Sequence, residues 1–317
     1  MNRMFAIPPV VLGAWSWGEG SNGGNEVFGN SLGEAELLPV FEAGLENGLK
    51  FWDTAAVYGM GASETILGAF LKKYPNKDFT LATKFTPRIA RDCADPVADL
   101  FAASQERLGR DIIDLYWIHN SADVERWTPL LIPLMQSGKV RRVGISNHNL
   151  EQIKRVEAIL AKGGVQISAV QNHYSLLYRA SEYAGILDYC KENDITFFSY
   201  MVLEQGALSG KYSTASPLPE DSRRGKAYNA IMPQIEKVTD VLREIGKKYG
   251  VSAAQVAIAW TIAKGTTPII GVTKPHHVAD AAKAAQICLT PDEVSALETV
   301  AGQTGVDTRG AWEIPMI

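Results

Sequence analysis

Apolar and polar residues follow two alternating rhythms along this chain. Short apolar runs rich in β-branched and aromatic residues recur at 10–15, 49–54, 79–85, 115–119, 140–146, 168–174, 195–200 and 268–273. Between them lie segments with an apolar residue at every third or fourth position, such as 35–47, 96–108, 150–161 and 183–192. Strand then helix, repeated, predicts parallel strands joined by crossover helices. Eight such repeats, with no intervening Pro-, Gly- or Ser-rich linker, predict a closed (β/α)₈ TIM barrel, an α/β fold with residues 1–317 as a single domain. Helix starts fit: Asn149 precedes Leu150-Glu151-Gln152 as a cap, and Asp95-Pro96 puts proline at a first helical position. The last crossover is longer, with a polar stretch at 211–228 and helices at 231–249 and 252–264. Thr290-Pro291-Asp292-Glu293 opens an extra C-terminal helix, and long loops are expected at the C-terminal face of the barrel.

Two phosphate-loop patterns compete with this reading and fail on context. Gly18-Glu19-Gly20-Ser21-Asn22-Gly23 matches G-x-G-x-x-G after the first strand. A dinucleotide turn needs a helix that begins within the motif, and glycine and polar residues here continue to Gly33. A long flexible loop at the barrel mouth is expected instead. Gly206-Ala207-Leu208-Ser209-Gly210-Lys211-Tyr212 is one residue short of a P-loop and has tyrosine where magnesium needs a hydroxyl donor of the Ser or Thr type.

Composition narrows the function. The chain has 317 residues, 46% hydrophobic and 21% charged, with a formal net charge of −4, which is globular and too acidic for a nucleic-acid binder. No apolar stretch is long enough to span a membrane, and the start, with two prolines and no long apolar core, does not read as a signal peptide. A cytoplasmic protein, monomeric or weakly self-associating, is expected, with Cys93, Cys190 and Cys288 as free thiols. No His pair has the spacing of a metal site.

Barrel active sites lie at the C-terminal strand ends. Three consecutive strands there carry one ionisable residue each: Asp53 on the second, Lys84 on the third and His119 on the fourth. Tyr58 follows on the turn after Asp53. Singly, Asp53 can anchor a loop and His119 can be a core histidine, but a lysine inside an apolar strand is rarely without purpose. Together they describe a general acid. An ammonium beside the phenol favours phenolate, a carboxylate keeps the buried lysine charged, and an imidazole can orient a carbonyl oxygen. Nothing in the set attacks covalently, so a cofactor must supply electrons.

The segment from Asp53 to Glu64, Asp53-Thr54-Ala55-Ala56-Val57-Tyr58-Gly59-Met60-Gly61-Ala62-Ser63-Glu64, resembles the D-T-A-x-x-Y-G-x-G-x-S-E signature of the aldo-keto reductases, and the likeness covers nearly the whole chain. That resemblance implies a barrel that binds NADP(H), or NAD(H), without a Rossmann fold. It implies a tetrad of Asp53, Tyr58, Lys84 and His119 with Tyr58 as general acid, and Trp15 as a pocket wall. It also implies that Ser146 and Asn147, in Gly144-Ile145-Ser146-Asn147, and Gln171 hold the nicotinamide carboxamide, and that Tyr200 stacks on its ring. The segment 203–212, including Leu203, Gly206 and Lys211, resembles the pyrophosphate strap, and Gly271, Thr273 and Lys274 resemble the adenosine-ribose segment. Trp17, the glycine-rich loop and Trp312 are weaker pocket candidates.

The likeness has departures. Val202 stands where the family usually has proline. Near the adenine an arginine and a Glu-Asn pair are replaced by His277, Asp280 and Ala281, which weakens, without removing, the preference for a 2′-phosphate. The N-terminal hairpin that plugs such barrels looks shortened. The expected reaction is NADPH-dependent reduction of an aldehyde or ketone, including sugars or other small carbonyl compounds. The rival reading is a non-catalytic nicotinamide-nucleotide sensor or regulatory subunit on the same barrel.

Overall fold

The computed structural model describes residues 7–317, so the expectation about the N-terminal hairpin lies largely outside the described residues. Eight strands, β1 (Val11–Gly13), β2 (Phe51–Asp53), β3 (Thr80–Phe85), β4 (Leu115–Ile118), β5 (Val143–Ser146), β6 (Ile167–His173), β7 (Thr196–Tyr200) and β8 (Thr267–Gly271), close into a barrel in chain order. Every neighbouring pair is parallel. The pleat divides each strand between two cores. Phe51, Ala82, Leu115, Trp117 and Phe198 point inward and fill the barrel, while Leu12, Trp52, Leu81, Tyr116 and Ile145 face the helices. Burying each large apolar side chain contributes about 1.5–3 kcal/mol, and this two-sided burial is why the strands read as near-continuous apolar runs.

Register sets the upper rim. Asp53 pairs with Gly13 and Ala82, Lys84 with Trp117, Ser146 with Gln171, and His173 with Tyr200. Gly144 is required by this packing: a Cβ there would lie 2.4 Å from the Trp117 ring.

Caps decide where the helices begin. Asp95 accepts from the Ala98 amide at 2.9 Å and starts helix Pro96–Leu108, and Asn149 exchanges bonds of 2.9 and 3.1 Å with Gln152 at the head of helix Leu150–Ala161. Thr290 and Glu293 form the same box before helix Pro291–Gly302. Other segments differ from expectation. The span 183–192 is broken, with helices Ala180–Tyr183 and Ile186–Glu192 separated by Gly185 at φ 73°. The polar stretch holds helix Arg223–Tyr228, capped by Ser222, and β8 is followed by helix Pro275–Ala284.

The glycine-rich segment is also not a free loop. Helix Gly24–Phe28 forms in it, with Val27 buried. The segment is tied down by the bond from Trp15 Nε1 to the Asn22 carbonyl (3.2 Å), from the Gly20 amide to Asn25 Oδ1 (3.0 Å), and by the Arg223–Glu26 ion pair. Gly18 and Gly20 allow the chain to pass against the Tyr58 turn, at φ 77° and 116°; a Cβ on Gly20 would lie 3.1 Å from the Gly59 carbonyl oxygen. Among the described residues no helix is long and apolar enough to cross a membrane.

Candidate active site

The ends of the strands open into a cavity of about 1440 Å³. Asp53, Tyr58, His119, Ser146, Asn147, Gln171 and Tyr200 line one end of its wall, with Trp15 and Trp312 beside them. Leu203, Gly206, Lys211, Gly271, Thr273, Lys274 and Asp280 line the rest, so all of these expected residues share one space. Lys84 is fully buried beneath the rim.

Lys84 has three ammonium protons and three acceptors: Asp53 Oδ1, the Thr54 carbonyl at 2.8 Å and Tyr58 Oη at 3.4 Å. Asp53 is completed by Trp117 Nε1–H at 3.0 Å and Gln171 Nε2–H at 3.2 Å, both on Oδ2. Burial raises the Asp53 carboxyl and lowers the Lys84 ammonium, each opposed by the other's charge.

Tyr58 corrects one expectation. Burial, reinforced by Asp53, lifts its phenol well above 10, rather than Lys84 lowering it. The reason is charge balance. Lys84 and Asp53 are in direct contact, so the phenol faces a nearly neutral pair and desolvation dominates. The phenol is therefore protonated at neutral pH. Its ring stacks on Trp15 at 5.8 Å and meets the His119 ring edge-on at 5.7 Å.

His119 Nδ1 lies 2.8 Å from Thr86 Oγ1, which fixes the ring. Burial, then the charges of Lys84 and Arg88, hold its pKa well below the ordinary 6.5, so it is neutral. Thr86 and Trp117 were not singled out as site residues, because a threonine and a core tryptophan carry no chemical signal in sequence.

The signature residues without chemistry build the turn that carries Tyr58. Ser63 Oγ donates to the Ala14 carbonyl at 2.7 Å and lies 2.8 Å from Thr54 Oγ1. Glu64 pairs with Arg107 at 2.6 Å and accepts from Thr83 Oγ1 at 2.5 Å. Gly59 at φ 58° passes under the loop, where a Cβ would lie 2.6 Å from the Glu19 carbonyl oxygen.

At the next strand ends, Asn147 Nδ2 donates to the His119 carbonyl (2.8 Å) and to Ser146 Oγ (3.1 Å), while Tyr200 Oη approaches Asn147 Oδ1 at 2.5 Å. The strap after β7 turns at Met201, Glu204 and Gln205, all at positive φ. It is closed by bonds from the Gly206 and Leu208 amides to the Leu203 carbonyl, so Val202 does not prevent the bend. Arg224 Nη1, which sequence did not single out, donates to the Gln205 carbonyl at 3.0 Å. Trp17 does not reach the cavity. It is core, with Nε1–H on the Val272 carbonyl at 2.7 Å and its ring against Trp52 and Phe70. Ala281 is likewise buried in its helix.

The sequence model of the Aldo/keto reductase family matches residues 9–301. The chain belongs to that family. It is thus an oxidoreductase of the aldo-keto reductase kind. It is 34% identical over 317 residues to the chloroplastic pyridoxal reductase of Arabidopsis thaliana, covering 95% of this chain and 85% of that one. It is 32% identical to an aldo-keto reductase of Gibberella moniliformis, covering 87% of each. Among solved structures, a glycerol dehydrogenase from Gluconobacter oxydans superposes with a TM-score of 0.78 at 25% identity, covering 94% of this chain and 93% of that one. An aldo/keto reductase from Klebsiella pneumoniae in complex with NADP and acetate shares the fold, with a TM-score of 0.70 at 22% identity over 98% and 94% of the two chains.

Proposed function

We propose that this aldo-keto reductase reduces an aldehyde or ketone to an alcohol at the expense of NADPH, with Tyr58 as the proton donor. The observation that carries this reading is geometric: Tyr58 Oη lies 3.4 Å from Lys84 Nζ and faces the same cavity as His119.

The cavity suits the cofactor. A carboxamide needs a donor for its oxygen and an acceptor for its N–H groups. Both amide protons of Asn147 are taken within the protein, which makes Asn147 a support. The Ser146 hydroxyl proton is the donor, and Gln171, whose Nε2 is committed to Asp53, keeps Oε1 as the acceptor. The far end is cationic. Lys211 and Lys274 line it together with the carboxylate of Asp280, and burial above all holds His277 down to about 4, so that ring adds no charge. Lys274 stands at the N-cap position, without a side-chain capping bond, of the ten-residue helix Pro275–Ala284, whose N-terminus adds a positive dipole end. That concentration of positive charge favours the 2′-phosphate of NADPH over NADH.

When bound, the dinucleotide supplies a hydride. The chain's own residues do the rest. His119, held at Nδ1 by Thr86, donates from Nε2 to the carbonyl oxygen and turns it toward Tyr58. Tyr58 gives its proton to that oxygen as charge develops, and the Lys84 ammonium stabilises the phenolate left behind. Trp15, Trp312 and Phe28 exclude water.

The test is NADPH oxidation, followed at the nicotinamide absorbance, with pyridoxal, aromatic and aliphatic aldehydes, ketones and keto-sugars. Turnover of one class with NADPH, and weaker turnover with NADH, is expected. Tight NADPH binding with no turnover on the whole panel would favour the non-catalytic sensor.

A further inference from the structure

A second buried ionic group stands behind the nicotinamide end of the cavity, and the chemistry above does not use it. β6 ends on His173, whose ring lies between those of Tyr178 and Tyr200, with centroids 4.3 and 5.6 Å away. Its Nε2 is 2.9 Å from Glu204 Oε1, and its Nδ1 is 3.0 and 3.3 Å from the two Glu313 oxygens. All three side chains are closed to solvent. Each ring nitrogen thus faces a carboxylate oxygen, the arrangement of an imidazolium that donates from both sides.

Each carboxylate belongs to a different functional segment. Glu204 opens the strap turn and also accepts from Ser175, from Thr308 at 3.1 Å and from Tyr228 at 2.7 Å. Glu313 follows Trp312 in the C-terminal tail, and its Oε1 is 2.9 Å from Tyr200 Oη. Trp312 Nε1 donates to the same Tyr200 oxygen at 3.2 Å, and its ring stands edge-on to Trp15 at 5.8 Å. One cation thus joins β6, the strap and the tail.

We propose that His173 is a positioning residue that latches the C-terminal tail to the strap, holding Trp312 as a wall of the carbonyl pocket. The proposal rests on the functional reading above for the identity of that pocket. Nothing in the latch transfers a proton. Its effect is on how substrate is held, through Trp312, and on the Tyr200 platform beside it. Burial alone would lower the imidazole's pKa, but Glu204 and Glu313 outweigh it and raise it to about 10; Tyr178, Tyr200 and Tyr228 are the other titratable groups packed around them.

The experiment uses the full chain and three variants, Glu313→Ala, Glu313→Gln and Trp312→Ala, which leave the His173–Glu204 pair in the core. Two readouts are taken: trypsin cleavage after Arg309, seen by mass spectrometry as loss of 310–317, and the split between KM and kcat for a carbonyl substrate. Loss of a charge-assisted bond in Glu313→Ala is expected to speed cleavage about tenfold and raise KM by a similar factor with kcat within about twofold. Glu313→Gln keeps an acceptor for Nδ1–H and is expected to fall between. Adding Glu313→Ala to Trp312→Ala should raise KM no further, because both act through the same wall. Cleavage at the native rate, or faster cleavage with unchanged KM, would overturn the proposal. Absence of turnover in the native protein would instead overturn the functional reading, and the cleavage rates would still decide whether the latch exists.

Discussion

The two buried ionic groups beside the cavity are built on different charge ratios. At the rim, one lysine meets one aspartate. Burial draws Asp53 upward and Lys84 downward, toward the forms in which neither is charged. Beneath Tyr200, one imidazole meets two carboxylates, and their combined field overcomes the same burial and holds His173 charged to about 10. At the rim burial is the larger influence on each partner of a directly bonded pair, whereas in the cluster two carboxylates together outweigh the burial of one imidazole. Beside the balanced pair stands Tyr58, whose phenol burial lifts well above its ordinary value. In the unbalanced cluster His173 meets one carboxylate from the strap and one from the tail.

The sharpest way to break the comparison is to unbalance the rim. Lys84→Met leaves Asp53 buried without its cation and is expected to destabilise the fold by about 3–5 kcal/mol in urea denaturation, with turnover lost. Adding Asp53→Asn should restore most of that stability, because the pair is removed together, while turnover stays lost. Equal stability of the single and double variants would mean that the pair is not coupled.

Acid and base should then separate the regions. His173 has a folded pKa of about 10 against an ordinary 6.5, so its contribution is fully present below about pH 6.5 and is lost as pH rises toward 10. His119 is depressed, and so is His148, buried just after β5 with Nδ1 2.8 Å from the Ser146 carbonyl and held down to about 4 by burial, so what they contribute is present above about pH 6.5 and is lost as pH falls toward their folded values. Denaturation midpoints measured from pH 4 to 10.5 should fall on both sides. His173→Gln should flatten the alkaline limb alone, and an unchanged alkaline limb in that variant would refute the assignment. The smallest effect is expected at Thr86→Val. It frees the His119 ring while keeping its volume, and kcat/KM should fall about 3–10-fold, the worth of one hydrogen bond, without change in NADPH affinity.

Most of the barrel was legible in the chain because burial on two faces writes apolar strands plainly. All eight runs became strands, and helices Pro96–Leu108 and Leu150–Ala161 match their expected limits, because Asp95 and Asn149 mark the starts with local chemistry. Local signals failed where tertiary contacts decide. Helix Gly24–Phe28 sits in glycine-rich sequence and depends on Trp15 and Arg223. Gly185 broke a helical rhythm that its neighbours continue. At the site, Asp53, Tyr58, Lys84 and His119 stood out as ionisable groups on successive strands. His173, Glu204 and Glu313 did not, since each alone is unremarkable and they meet across 31 and 140 positions of chain. The sign of the Tyr58 shift was also beyond the sequence, because it depends first on how completely the phenol is buried and then on the charge of Asp53.

The most direct test is Tyr58→Phe, assayed for NADPH binding by fluorescence and for hydride transfer in a single turnover. Cofactor affinity within about twofold of native, with transfer slowed about 10²–10⁴-fold, is the expected result for a lost general acid. Transfer at the native rate would contradict the role of the phenol as proton donor.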